Sequence, residues 1–539
     1  MKKHFERGDL WFGFARIAFN KKGKRVVRLV YGRVLSVMAG LGLAGWVILT
    51  LAGFFFVRFQ MDFKEGSYWD VVFPFRWDHY RASLGDSHVE KARDALAEQN
   101  FRSFELYLRR GVAHSPGNLE GRKLLAELDL WRNDPSRAAA TLARGMEFDH
   151  ALEDAEYLNF ALRVYLAAER DEDIHALRDT FLARSTPPEL LLPVLLASTQ
   201  AYYLRGDLES AAQLIEKHEL TGDLSGLLLQ LRIAWDQGQR EDVLDAVDEL
   251  LRQQPSNEVL LQLKLRFLFE AGRYRDAENT AVLYALRHPH NSVPHIFHLT
   301  ILARQERWEE MQNRYRALLQ RFQRDPTAMQ QLVNVATQFQ RVEITSLILE
   351  NAESSGRNLP IALLGHWENA MHAGDMLLAR RLSLRILEEV ELFEEPALAA
   401  RKAALLVGWH VLNNADTDAT NATNALLRHL FRHPEVVLRI APILEAERQW
   451  TILNRLLTEA HRLHPTQTPF VGRMIEVAMA RNDYPEVTRR LEQYLKMRGP
   501  EASLLAEIEQ FLSSDRFLYL EHRREALEQI RAQRRELPI

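Results

Sequence analysis

The sequence predicts an all-α protein: a single N-terminal transmembrane helix followed by a long α-solenoid of about twelve helix-turn-helix units. Two observations predict it. Residues 34–57, "VLSVMAGLGLAGWVILTLAGFFFV", form a run of 24 residues without a charge. Beyond it, pairs of apolar helical stretches separated by a turn recur at a step close to 34 residues, and no stretch reads convincingly as a strand.

The N-terminal tail, residues 1–33, carries ten Lys or Arg against two acids, a net +8. The whole chain has 69 basic and 73 acidic residues, so the remaining 59 and 71 leave −12 for everything after the tail. Basic flanks stay on the cytoplasmic side of a membrane. The tail is therefore expected in the cytoplasm, with the rest of the chain across the plasma (inner) membrane. Near anionic head groups each Lys or Arg is worth about 1 kcal/mol. The acidic remainder lacks a concentrated basic footprint, which excludes nucleic acid as a partner. Within the tail, "DLWFGFARIAF" (9–19) reads equally as an interfacial helix or a mobile segment.

As a helix, 24 residues reach roughly 36 Å, enough to cross a hydrocarbon core of about 30 Å. The span includes "GLGLAG", a match to a dinucleotide-binding fingerprint. That motif needs a preceding strand and a following helix, and here it sits inside the apolar run. The span is also longer than the apolar core of a signal peptide, and "RFQMDFKEG" after it offers no small-x-small cleavage site. Ser36, Gly40 and Ala44 recur every four residues and share one helix face. Such a face suits close packing against a second transmembrane helix. Lipid is thus one partner, through residues 34–57, and a membrane helix is a second expected one.

Residues 58–84 form an aromatic juxtamembrane linker. Eight aromatics lie between Phe59 and Tyr80: these two and Phe63, Tyr68, Trp69, Phe73, Phe75 and Trp77. The first is expected in the membrane interface and most of the others packed on the first repeat. The repeats occupy 85–515, and 516–539 reads as a charged capping helix.

The repeat shows best in its turns. Gly206, Gly238, Gly272 and Gly374 each lie between two helical patterns, and steps near 34 add Gln99, Asn133, Arg170, Glu306, Gln340, Asn414, Arg448 and Asn482. Small residues follow five positions after the turn at Ala138, Ala211, Ala277 and Ala379, and prolines close units at Pro116, Pro255, Pro289 and Pro465. This pattern resembles the tetratricopeptide repeat family. The resemblance implies paired antiparallel helices, a groove lined by the first helix of each pair, and protein partners bound there.

In that register, the groove positions six before the turn include Gln200, Arg232, Arg266, Asn334 and Glu368, and those three before it include Tyr203, Trp235 and Phe269. Arg232 with Trp235, and Arg266 with Phe269, twice set an Arg beside an aromatic, the residue types favoured at interface hot spots. These eight residues are the expected partner-binding set, with the alternative that the aromatics pack between helices.

Reaction chemistry finds little support. With no Cys, thiolate metal sites, disulfides and Cys nucleophiles are excluded. His288, His290, His295 and His298 fall within eleven residues, but across a turn with two prolines and no carboxylate. "NADTDATN" (414–421) lacks the Gly and Glu of a calcium loop and reads as a polar insertion between helices. No catalytic residue, cofactor or metal is expected. The sequence reads as a membrane-anchored scaffold or adaptor at the cell envelope. The alternative is a solenoid that binds an envelope polymer such as an exported polysaccharide.

Overall fold

The computed structural model describes residues 9–10, 15–19, 24–29, 31–56, 58, 68–73, 76–132, 134–184, 186–518 and 522–536. Two compact units divide the chain, residues 1–164 and 165–539. From Tyr31 onward every α-helix or 3₁₀ segment belongs to an all-helical chain, with no strand among the described residues.

The tail departs from expectation. Asp9–Leu10, Ala15–Phe19 and Arg25–Leu29 form a three-stranded antiparallel meander, with Ala15 opposite Leu29 and Phe19 opposite Arg25. The described part of 9–19 is therefore strand and not an interfacial helix. Two five-residue runs rich in Ile, Val and Phe, separated by the turn-like "NKKGK", carry the signal.

The apolar helix spans Tyr31–Phe55 and is long and apolar enough to cross a membrane. Its 25 residues leave only Thr50 buried. Past it, a short helix, Tyr68–Val72, leads to Trp77–Ala97. The latter precedes the turn at Gln99 and pairs with Phe101–His114, and its first turns lie within the expected linker 58–84. Tyr68 packs on the apolar helix, whereas Trp69, stacked on Phe73, and Phe73 and Trp77 themselves remain exposed and are not buried in the first repeat. Phe59, Phe63 and Phe75 lie outside the described residues.

The turns explain why 34-residue steps give helix pairs. Gln99, Gly206, Gly238, Gly272, Glu306, Gln340, Gly374, Asn414, Arg448 and Asn482 all have positive φ, between 52° and 89°. A left-handed residue ends the first helix and reverses the chain. The next residue then caps the second helix: Asp207, Asp375 and Asp483 accept from the backbone N–H of Ser210, Leu378 and Glu486. Near Arg170 the left-handed residue is Glu169, one position earlier, and Asn133 lies outside the described residues.

Five residues after the turn, Ala138, Ala211, Ala277 and Ala379 are each 0% exposed, because a small side chain lets the second helix approach the first. The far ends of the second helices are closed by the following unit. Arg287 donates to the Pro255 carbonyl, Arg321 to that of Pro289, and the His464 ring meets the Leu430 carbonyl at 3.1 Å. These carbonyls lie in the loops just past the second helices and are satisfied one repeat on.

Two irregular stretches interrupt the step: a five-residue helix at Asp149–Glu153 and a 3₁₀ turn at Val390–Phe393. "NADTDATN" is not an insertion. Asn414 is a turn residue and Asp416 opens the helix Asp416–Leu427. At the C-terminus, Arg523–Glu536 packs Ala526, Leu527 and Ile530 into the last core.

A left-handed conformation costs a non-glycine residue roughly 1–2 kcal/mol. Glu306 is exposed and holds φ at 59°. Glu306→Gly is expected to stabilise the array by about 1 kcal/mol, after the extra freedom of glycine in the unfolded chain offsets part of the gain. The urea midpoint measures this, and an unchanged or lower midpoint would contradict the turn geometry.

Candidate partner-binding surface

All the features of this surface lie in the second unit. The expected groove residues separate into two groups there.

The first group is committed to the core. Trp235 is 4% exposed: its ring stacks on Phe267 at 4.3 Å and its Nε1 donates to Glu270 at 3.1 Å. Phe269 is half-buried, edge-on to Tyr274 and Phe297. These aromatics pack between neighbouring pairs, and Trp235 is not available to a partner. Glu368 is also buried, at 4% exposure, because the helix that carries it, Leu359–His372, is enclosed on all sides from Ala362 to Met371. Its close neighbour is Pro326–Gln338. At Gly365 an added Cβ would stand 2.2 Å from a Val333 methyl, so glycine is what lets the two helices meet.

Glu368 sits at the centre of a buried polar group. Arg401 donates to Glu368 Oε2 through Nε at 3.0 Å and Nη2 at 2.5 Å. Arg439 donates to both Glu368 oxygens at 3.2 and 3.3 Å and to Asn334 Oδ1 at 2.7 Å. Gln330 also donates to Asn334, at 2.9 Å. First helices of four consecutive pairs are tied together here. Burial opposes charge on Glu368, but the guanidinium groups of Arg401 and Arg439 outweigh it and hold its pKa below the ordinary value. Glu368 is thus enclosed and bonded within the chain, and the half-buried Asn334 accepts two of these bonds at its Oδ1.

The second group stays accessible. Tyr203 donates to Asp236 Oδ2 at 2.8 Å, one pair further on. Burial and the Asp236 charge push the Tyr203 hydroxyl up, so it remains a donor. Burial also raises the pKa of Asp236. Arg266 is exposed and pairs with Glu270 Oε1 at 2.7 Å. Gln200 is half-buried. Arg232 differs from these: it is half-buried, its Nε is shut off from solvent without a hydrogen-bond partner, and it forms no ion pair among the described residues. Tyr203 lies close enough to feel the charges of both Arg232 and Arg266. The result is a short strip of first-helix residues with one guanidinium uncommitted.

The second unit also returns upon itself. Arg498 donates to the Leu166 carbonyl at 2.6 Å and pairs with Asp171, some 327 residues away in sequence. Arg205 binds the same carboxylate at 2.6 Å and the Lys496 carbonyl at 2.7 Å. Asp171 is 7% exposed and bridges the two guanidinium groups. Sequence reasoning missed this closure, since nothing local to Asp171 marks a partner so distant.

Among the described residues no three His, Asp or Glu side chains come together as a metal-binding group. The four histidines disperse. His288 faces the Ser256 carbonyl at 3.1 Å, His290 is exposed, His295 lies beside Arg314 at 3.2 Å, and His298 meets Glu278 at 3.1 Å.

No sequence-family profile matches the chain, and no curated protein sequence matches it. Among solved structures it is similar to the crystal structure of the APC/C hetero-tetramer Cut9–Hcn1, at 13% identity over 83% of this chain and 93% of that one, with a TM-score of 0.26. It is also similar to yeast Tom70, at 11% identity over 85% of this chain and 96% of that one, with a TM-score of 0.32.

Proposed function

We propose that the chain is a membrane-anchored scaffold whose helical array captures a protein partner outside the cytoplasm. The carrying observation is Arg232, a half-buried guanidinium with no ion-pair partner among the described residues, set near Tyr203 and Arg266 on neighbouring first helices. A partner carboxylate there would accept charge-assisted hydrogen bonds from a group already held in place. An acidic side chain or a free C-terminus supplies that chemistry.

In this reading residues 34–57 hold the chain in the plasma (inner) membrane and the +8 tail fixes the N-terminus in the cytoplasm. Ser36, Gly40 and Ala44 stand exposed on the apolar helix, and among the described residues nothing beyond Gly40's own helix turn lies within 4 Å of a Cβ placed there. That face is open to a second membrane helix.

The test is crosslinked capture from native membranes by the parent and by the double variant Arg232→Ala, Arg266→Ala. Hydrogen bonds to charged groups contribute about 1.5–3 kcal/mol. Capture is therefore expected to weaken by roughly tenfold or more, with the helical melt moving by less than about 0.5 kcal/mol. Equal capture by the variant would move the recognition surface elsewhere. Binding that survives protease treatment of the captured material would favour a polymer over a protein.

A further inference from the structure

We propose that the short helix Tyr68–Val72, with Phe73 directly after it, is a lipid-interface wedge, set along the outer end of the apolar helix so that its aromatic side beds in the boundary between head groups and acyl chains. The proposal rests on the membrane reading of that helix. It does not follow from the aromatic content alone but from where the short helix Tyr68–Val72 is pinned.

The pin is Thr50. Its hydroxyl lies 2.9 Å from the Trp46 carbonyl and 3.0 Å from that of Val47, and 3.1 Å from the Tyr68 hydroxyl. Thr50 donates to its own helix, so Tyr68 donates to Thr50. The Tyr68 ring also stands edge-on to Phe54 at 5.7 Å. Thr50 is five residues before the helix end at Phe55, which places it about 8 Å inside that end at 1.5 Å per residue. The chain has therefore left the apolar helix and come back alongside it. A phenol at that depth has no water to bond, and Thr50 provides the acceptor it needs.

The short helix has two sides one turn apart. Tyr68 and Val72 face inward, and Val72 is 8% exposed. Trp69 and Phe73 face outward, stacked at 5.7 Å with their planes 10° apart, and are 54% and 36% exposed. Trp77, at the start of the next helix, is 48% exposed. Two large aromatic rings, Trp69 and Phe73, set on one side of the short helix and this exposed are costly in water. Continuity with the 25-residue apolar helix says what covers them: the same bilayer. Trp is at home at this level, with an apolar ring and an N–H for the head-group region. Such a wedge would hold the opening of the array, Trp77–Ala97, close to the membrane surface.

The chain has no Cys, so single labels are simple to place. Leu43→Cys, Trp69→Cys, Phe73→Cys and Leu377→Cys are each labelled with the fluorophore NBD. The full-length proteins are reconstituted into phosphatidylcholine–phosphatidylglycerol vesicles carrying a nitroxide either near the head group or near the acyl terminus. Leu43 lies mid-helix and Leu377 on an exposed face of the array. Labels at 69 and 73 are expected to lose more emission to the shallow quencher than to the deep one, with the label at 43 showing the reverse. Two positions guard against damage from one substitution. If 43 is quenched but 69 and 73 stay as bright as 377, the wedge is overturned and the membrane reading survives. If 43 itself is not quenched, the membrane reading fails and takes the wedge with it.

Discussion

Glu368→Ala is expected to destabilise the second unit by about 3–5 kcal/mol. The alanine itself fits a helix and leaves no backbone fault. The cost comes from what remains: Arg401, 4% exposed, would lose the carboxylate that is its hydrogen-bond partner among the described residues, and its Nη1 is already buried without one. Arg439 would lose one of its two anchors and keep Asn334. An unpaired charge in an enclosed site is far more expensive than the pair was worth. Because a domain's whole stability is about 5–15 kcal/mol, the loss should be plain in a urea titration. Replacing both partners, Glu368→Met with Arg401→Met, is expected to recover most of it, since no charge is then stranded. If Glu368→Ala unfolds at the parent's midpoint, or if the double variant is no better than the single, the buried ion group does not carry the load assigned to it. Acid should act in the same direction. The folded pKa of Glu368 lies below the unfolded one, so its contribution is complete above the unfolded carboxylate value of about 4.3. It is lost as pH falls through the lowered folded value.

The helix pairs were legible because their signals are local. A turn position tolerates few backbone conformations, and Gly206, Gly238, Gly272 and Gly374 announce it directly. Glu306, Gln340 and Arg448 do not, yet adopt the same left-handed conformation, because the helices on either side impose the reversal. The alanine five residues on is similarly local, being the contact point of one hairpin. The groove was less legible because exposure depends on neighbours several units away. Glu368 occupies the same register as Arg232, but the array encloses the helix around the former and leaves the latter half-buried. Its cations, Arg401 and Arg439, sit 33 and 71 residues downstream. The one local hint was Arg401 itself, which with Lys402 interrupts the otherwise apolar "PALAARKAALLVGW". Register alone puts Trp235 in the groove, yet its ring is taken up by Phe267 on the first helix of the next pair. The Asp171–Arg498 contact and the tail meander depend on pairings between segments, which no periodicity within a segment reveals.

His295 should make the array sensitive to mild acid. Its ring is 3% exposed, with Nδ1 3.2 Å from the Arg314 guanidinium and Nε2 buried without a partner. Phe322 covers it edge-on at 5.5 Å. Burial, then the charges of Arg314 and Arg321, with His298 adding to them, push its pKa down to about 4. The unfolded chain binds the proton near pH 6.5, so between these values the unfolded state holds more protons than the folded one. Stability therefore rises with pH through this window and is lost as pH falls from about 6.5 towards 4. At pH 5 the penalty from His295 is about 2 kcal/mol, approaching about 3 kcal/mol below the folded value. His298 is shifted the same way by burial, although Glu278, which it contacts at 3.1 Å, works against that shift. In His295→Gln the side chain cannot take up the proton, while an amide oxygen can still face Arg314. Urea midpoints at pH 7 and pH 5 separate the cases. The parent should lose stability between them, and the variant should lose distinctly less. A parent equally stable at both values, or a variant that follows the parent's decline, would show that the imidazole is not held neutral beside Arg314. The window from 7 to 5 also lies above the lowered pKa of Glu368, so the two acid responses can be read apart.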